Sequence, residues 1–121
     1  MKKAKVLLVS ALLSLSLTGC SSDYSKSDSP NKIDYEDGFL WAGYLAFQEV
    51  EDAEAQGSAN PKKEGFVEAA RRMKELSGSF ESGCRYVAEF TSVPEIPAGP
   101  ARDAWVQGCV DFFNSIEERW P

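Results

Sequence analysis

Residues 60–80 read NPKKEGFVEAARRMKELSGSF, and this stretch carries the clearest helical pattern in the chain. Asn60 and Pro61 form a typical helix start, because asparagine caps the first amides and proline fits the first helical position. The glycine within residues 77–79 predicts the end of the helix. Between these signals, apolar residues recur at helical spacing while charged residues cover the other faces, which predicts an amphipathic helix. The apolar positions are Phe66, Ala69, Ala70, Met73, Leu76 and Phe80.

Helices are also predicted on both sides of this stretch. A first helix begins at Asp34, whose carboxylate can cap the next amides, and it is apolar nearly all round, as in a helix surrounded by others. A short third helix runs from about Ser79 to Phe90, and Pro100 opens the last one. Residues 93–99 contain two prolines that exclude a helix, and no stretch alternates as a strand does. The sequence therefore predicts an all-α bundle of three to four helices.

Small residues of the first helix are predicted to face its neighbours. Gly43 and Ala46 would let helix axes approach closely, so a larger side chain at Gly43 would displace a neighbour. Gly108, beside Cys109, would likewise admit the backbone that a bridged cysteine pair brings close. The expected contacts of the first helix lie on the second and last helices, at Phe66, Ala70, Met73, Trp105 and Phe112.

The amino-terminal residues have the order of a secretory signal. Three lysines within the first five residues precede an apolar run over residues 6–17, which ends in Leu17-Thr18-Gly19-Cys20. A dozen helical residues span roughly 18 Å, well short of the hydrocarbon core of a bilayer at ~30 Å. We therefore expect a removable signal rather than a permanent transmembrane helix.

The tetrapeptide Leu17-Thr18-Gly19-Cys20 resembles the lipobox of bacterial lipoproteins, position by position. The resemblance implies cleavage between Gly19 and Cys20, a diacylglycerol on the Cys20 sulfur and a fatty acid on its new amino group. It implies a signal peptide over residues 1–19, and it covers only the first sixth of the chain. An ordinary signal peptide that happens to be followed by a cysteine is the alternative.

The residues that follow Cys20 are predicted to form a flexible tether up to residue 33, with the helical domain over residues 34–121. Five serines and few apolar side chains in residues 21–32 leave too little surface to bury. Ser21 does not resemble the aspartate of an inner-membrane retention signal. In a cell with two membranes the outer membrane is therefore favoured, and otherwise the outer face of the cell membrane.

Charge and histidine content exclude several functions. Loss of the signal removes three of the 13 Lys and Arg and none of the 19 Asp and Glu, which leaves a net charge of −9. Such an acidic chain has no basic footprint for nucleic acid. The chain contains no histidine, which excludes a histidine general base, a Ser-His-Asp or Cys-His arrangement and any histidine-containing metal site.

Cys84 and Cys109 remain when Cys20 is acylated, and an even number of cysteines in an exported chain predicts a disulfide. The bridge would close a loop of about 26 residues and stabilise the fold by roughly 3.5 kcal/mol in the chain-entropy treatment. A reactive or metal-binding dithiol is the alternative, although the CxxC spacing typical of such sites is missing.

Two groups in the first helix are candidate functional sites. The carboxylates of Glu49, Glu51, Asp52 and Glu54 could hold a divalent cation or supply an acid–base pair, yet such clusters are typical of solvated helix faces. We therefore expect no metal, no cofactor beyond the covalent lipid and no catalytic role. The aromatic residues Tyr35, Trp41, Tyr44 and Phe47 either bind a partner or fill the core, and the core is favoured because so short a chain has few other large side chains.

These features together predict a non-catalytic binding module held at a membrane surface, with an unidentified protein partner in the envelope. Exposure of Trp41 and Tyr44 would favour partner binding over core packing. The alternatives are a blocker similar to small acylated superinfection- or entry-exclusion proteins, and an inhibitor or accessory subunit of an exported enzyme.

Overall fold

Four α-helices form the part of the chain that this computed structural model describes, residues 30–90 and 96–121. Helix α1 spans Lys32–Ala55, α2 spans Pro61–Ser77, α3 spans Phe80–Phe90 and α4 spans Pro100–Arg119. No strand occurs in these ranges, so the prediction of an all-α bundle is confirmed. The predicted signal peptide, Cys20 and all but the last residues of the predicted tether lie outside the described residues.

The ends of α2 follow the local signals in its sequence. The Asn60 side chain accepts a hydrogen bond from the Lys63 amide at 3.3 Å, and Pro61 is the first helical residue. Gly78 follows the helix with φ +98°, and its N–H donates to the Lys74 carbonyl at 2.8 Å. A left-handed residue in this position favours glycine, which explains why α2 ends here.

Helix α1 begins at Lys32, two residues before the predicted start at Asp34. The Tyr35 amide donates to the Asn31 carbonyl at 3.0 Å, and Lys32 forms an ion pair with Glu36 one turn later. Pairs at this spacing stabilise a helix, which accounts for the earlier start. The Asp34 carboxylate accepts from the Asn31 side chain at 3.3 Å.

The core lies between α1, α2 and α4, with α3 packed on α2 and α4. Helix α1 contributes mostly small buried residues, whereas α4 supplies the bulky Trp105, Phe113 and Ile116. This pairing of small with large side chains lets the helices interdigitate at close range. The other buried core positions are Ala42, Ala46, Ala69, Ala70, Met73, Phe80, Cys84, Val87, Ala88, Val106 and Cys109.

Two glycines bring the backbones of α1 and α4 together. A Cβ atom on Gly38 would lie 2.0 Å from the Trp105 carbonyl oxygen, and one on Gly108 would lie 2.0 Å from the Tyr35 carbonyl oxygen. The predicted role of Gly108 therefore needs correction, because the backbone it admits is that of α1. Gly43 is also not the tightest position, since a Cβ there would meet the Phe112 ring at an ordinary 3.5 Å.

The sulfur atoms of Cys84 and Cys109 lie at bonding distance, with the two Cα atoms 6.0 Å apart, and both residues are fully buried. They join α3 to α4, as predicted. Each cysteine follows a glycine that faces a third helix: Gly83 lies against the Met73 backbone of α2, and Gly108 lies against α1. In both Gly-Cys pairs, the glycine allows close packing against a third helix and the cysteine forms the disulfide.

Candidate functional site

The outward face of α1 carries large apolar side chains in solvent. Leu40 is 61% exposed, Tyr44 64% and Phe47 54%, and their spacings of four and three residues place them on one line along the helix. We call these three residues the α1 stripe. Ile33, 73% exposed, lies on the same line two turns earlier. Gly38, Ala42 and Ala46 form the opposite, buried face.

The aromatic residues considered from the sequence fall into two groups. The Trp41 ring is half-buried with its centroid 5.4 Å from that of Trp105. Tyr35 is 2% exposed, and its hydroxyl donates to the Asp111 carboxylate at 2.6 Å. Tyr44 and Phe47 lie in solvent, so the favoured core interpretation is wrong for these two.

The reason for this division is the close approach of α4. Its backbone reaches α1 at Gly38, so the side of α1 that faces the bundle has room mainly for small side chains. Apart from Tyr35, the bulky buried side chains are supplied by α4, α2 and α3. Leu40 was not among the candidate residues, although its spacing from Tyr44 and Phe47 could have revealed it as part of one line.

Carboxylates bracket the α1 stripe at both ends. Asp37 precedes Leu40 by three residues and Glu51 follows Phe47 by four, so both continue the line of the stripe. Both are exposed and form no ion pair with the rest of residues 30–90 and 96–121. Lys32 is the single basic residue of α1 and already pairs with Glu36. The stripe is therefore an apolar surface with uncompensated negative charge at its ends.

The acidic cluster at the end of α1 does not converge on one point. The Glu49 carboxylate is mostly buried and lies 3.5 Å from an Arg72 nitrogen of α2, whereas Glu51, Asp52 and Glu54 extend into solvent. Among the described residues, no group of three or more His, Cys, Asp or Glu side chains is placed to hold a metal ion. Glu49 is a link between helices in this arrangement.

The outward face of α2 is charged and internally paired. The Glu68 carboxylate accepts hydrogen bonds from Arg71 and Arg72, and these bonds lower its pKa to about 2. Arg71 also donates to Glu75 at 2.7 Å, and Glu75 and Glu68 together raise the pKa of Arg71. Arg71 and Arg72 are thus both paired with neighbouring carboxylates.

Two smaller apolar features occur elsewhere on the surface. Tyr86 and Phe90 of α3 are exposed, with ring centroids 5.2 Å apart. An open groove runs between α2 and the end of α4, and its lining includes Ile116 and Trp120. The cations on its rim include Lys74, which pairs with Glu117 of the same groove. Neither feature combines extended apolar surface with uncompensated charge as the α1 stripe does.

Comparison of the chain with protein-family models, with curated proteins and with solved structures gave no significant match. Within residues 30–90 and 96–121, none of the helices has the length and apolar character needed to cross a membrane. The candidate site is therefore defined by its own geometry: the α1 stripe, with Asp37 and Glu51 at its ends.

Proposed function

We propose that this protein is a lipid-anchored envelope protein whose helical domain binds another protein through the α1 stripe, without catalysing a reaction. The single observation that carries the binding role is the exposure of Leu40, Tyr44 and Phe47 on one line of α1. Contiguous exposed apolar residues with a polar rim are typical of interaction sites, and tyrosine is enriched where binding energy concentrates.

The free energy available at this surface is substantial. Full burial of a leucine or aromatic side chain contributes about 1.5–3 kcal/mol relative to exposure. Three such side chains at helical spacing match the way in which an amphipathic helix lays its apolar face into the groove of a partner. Because Leu40, Tyr44 and Phe47 are 54–64% exposed, a partner that covers the α1 stripe would gain the corresponding part of this free energy.

The proposed anchor would place this surface near the membrane. From Cys20 to Pro30 there are ten residue steps, which span at most about 35 Å when fully extended. Helix α1 starts directly afterwards, at Lys32. A lipid on Cys20 would hold the α1 stripe at high local concentration among proteins of the membrane surface.

The anchor is tested with Cys20→Ala in cells supplied with a labelled fatty acid. We expect the parent protein to be labelled and to sediment with membranes, because the acyl chains provide the membrane affinity. The variant should stay unlabelled and be either unprocessed or released. Labelling of the Cys20→Ala protein would rule out the lipid attachment at this residue.

The binding role is tested with a photo-crosslinking amino acid placed at Tyr44 in intact cells. We expect a defined protein adduct from this position, and its loss when Leu40→Ser is added. The matched control carries the crosslinker at Glu118, an exposed residue of α4 away from the stripe. Absence of an adduct at Tyr44, or the same adducts from both positions, would overturn the proposed function.

A further inference from the structure

We infer that the partner of the α1 stripe is a protein segment with an apolar helical face and lysine or arginine side chains at both ends of that face. This inference rests on the proposed function, since it names the chemistry of the partner that the stripe would bind. It follows from the order of apolar and acidic residues along one line of α1.

The line has the spacing of a helix–helix seam. Asp37, Leu40, Tyr44, Phe47 and Glu51 follow one another at intervals of three, four, three and four residues, which is the a/d pattern of paired helices. Within this segment the three middle positions are large and apolar, and the first and last positions are carboxylates. Ile33 continues the line one turn before Asp37. At a rise of ~1.5 Å per residue, the 14 steps from Asp37 to Glu51 cover roughly 21 Å. A complementary helix would therefore carry its basic groups about four turns apart.

Among residues 30–90 and 96–121, no ion pair balances the charge of Asp37 or Glu51 at the two ends of the stripe. Glu36 lies beside Asp37 and pairs with Lys32, while Glu54 lies beside the line near Glu51 and is exposed. Arg72 and Arg85 are engaged elsewhere in the bundle, with Glu68 and Asp103 respectively. Basic groups of a partner would relieve like-charge repulsion at both ends of the stripe and set the register of binding.

The same charges disfavour other occupants. If two copies of this chain paired along the stripe, Asp37 would meet Glu51 in an antiparallel arrangement and a second Asp37 in a parallel one. Like charges directly opposite each other destabilise a helix pair. An anionic lipid surface would be repelled in the same way. A cationic apolar helix avoids both penalties.

The test uses the full acylated chain in neutral phosphatidylcholine nanodiscs and two synthetic probes. Both probes are helical peptides of about 18 residues with leucines at the middle a and d positions. One peptide has lysines in its first and last turns, and the other has glutamates there. We expect the lysine peptide to bind about tenfold tighter or better at physiological salt, measured by fluorescence anisotropy.

Variants separate the stripe from the overall negative charge. The double variant Asp37→Lys with Glu51→Lys should invert the preference toward the glutamate peptide. The matched control, Glu64→Lys with Glu118→Lys, changes net charge equally at exposed positions on α2 and α4 and should keep the preference. The neutral pair Asp37→Asn with Glu51→Gln should abolish the preference while circular dichroism shows the parent helix content. Equal effects of the stripe and control variants would overturn the inference.

The failure of this inference is distinguishable from the failure of the proposed function. An adduct at Tyr44 that is unaffected by the double charge reversal would overturn the basic-partner inference and leave the binding role intact. Stripe-dependent dimers in analytical ultracentrifugation, or stripe-dependent binding to phosphatidylglycerol vesicles, would replace it with a second copy or a lipid surface. A Tyr44 adduct that charge reversal removes, while the control variant keeps it, supports the inference.

Discussion

Helices α1 and α2 bury similar faces and expose different ones. Gly38, Ala42 and Ala46 of α1 face the bundle, as do Gly65, Ala69 and Ala70 of α2. On the outside, α2 shows paired charges around Glu68, whereas α1 shows the α1 stripe and unpaired carboxylates. Packing thus explains the small residues on both inner faces, and contact with solvent explains the paired charges on the outer face of α2. The outer face of α1 is explained by neither, which is why we propose a binding role for it.

The largest expected effect tests the inner face of α1. Gly38→Ala places a Cβ atom 2.0 Å from the Trp105 carbonyl oxygen, so two backbones must separate. Although alanine is the better helix former by about 1 kcal/mol, we expect a net loss of roughly 3 kcal/mol in the free energy of unfolding. Urea denaturation measures this change.

Gly43→Ala is the matched control for Gly38→Ala. Its Cβ atom would meet the Phe112 ring at an ordinary contact distance of 3.5 Å. We expect this variant to be as stable as the parent or more stable, by up to about 1 kcal/mol, because of helix propensity. If Gly38→Ala were equally well tolerated, the close approach of α1 and α4 would be refuted.

The second prediction concerns the disulfide, which joins α3 to α4. Helix α3 packs on α2 and α4 and touches α1 little. Replacement of Cys84 and Cys109 by serine should lower the free energy of unfolding by about 3 kcal/mol. Amide hydrogen exchange should then accelerate in α3 and α2 before α1. Two free thiols in the untreated parent protein, detected by mass spectrometry, would contradict the bridge.

The third prediction tests the paired charges of α2. Because the pKa of Glu68 is lowered to about 2 in the fold, the contribution of its carboxylate is present above the ordinary value near 4.5 and is lost as pH falls through about 2. Surface ion pairs contribute little, so Glu68→Gln should cost less than about 1 kcal/mol at neutral pH. Thermal unfolding of the variant should also depend less on pH between these two values. An unchanged pH dependence would show that the pairing has no effect on stability.

The ends of α2 were predictable from the sequence because their causes are local. Asn60 caps its own helix, and Gly78 ends it through a backbone conformation that favours glycine. The start of α4 at Pro100 is local in the same sense. The orientation of α1 was predicted in part, since Ala46, one of the two small residues expected to face the neighbouring helices, is fully buried. The position of closest approach was not predictable, because it depends on where the α4 backbone meets Gly38, a contact between residues 67 positions apart in the sequence.

The smallest expected effect on stability comes from the outer face of α1. It tests whether the side chains of the α1 stripe contribute to folding as core side chains do. Tyr44→Ser and Phe47→Ser remove side chains that are mostly exposed, so each should change the free energy of unfolding by less than about 0.5 kcal/mol.

Trp41→Ala is the matched aromatic control on the same helix. Its ring packs on Trp105, so its loss should cost more than either serine variant. Chemical denaturation compares the three proteins, and the crosslinker at position 44 measures binding in parallel for Phe47→Ser and Trp41→Ala. If the serine variants unfolded as easily as Trp41→Ala, the stripe would be packing surface. Parent-like stability combined with loss of the adduct would instead place the stripe in partner binding, because a surface kept for binding can lose its side chains without harm to the fold.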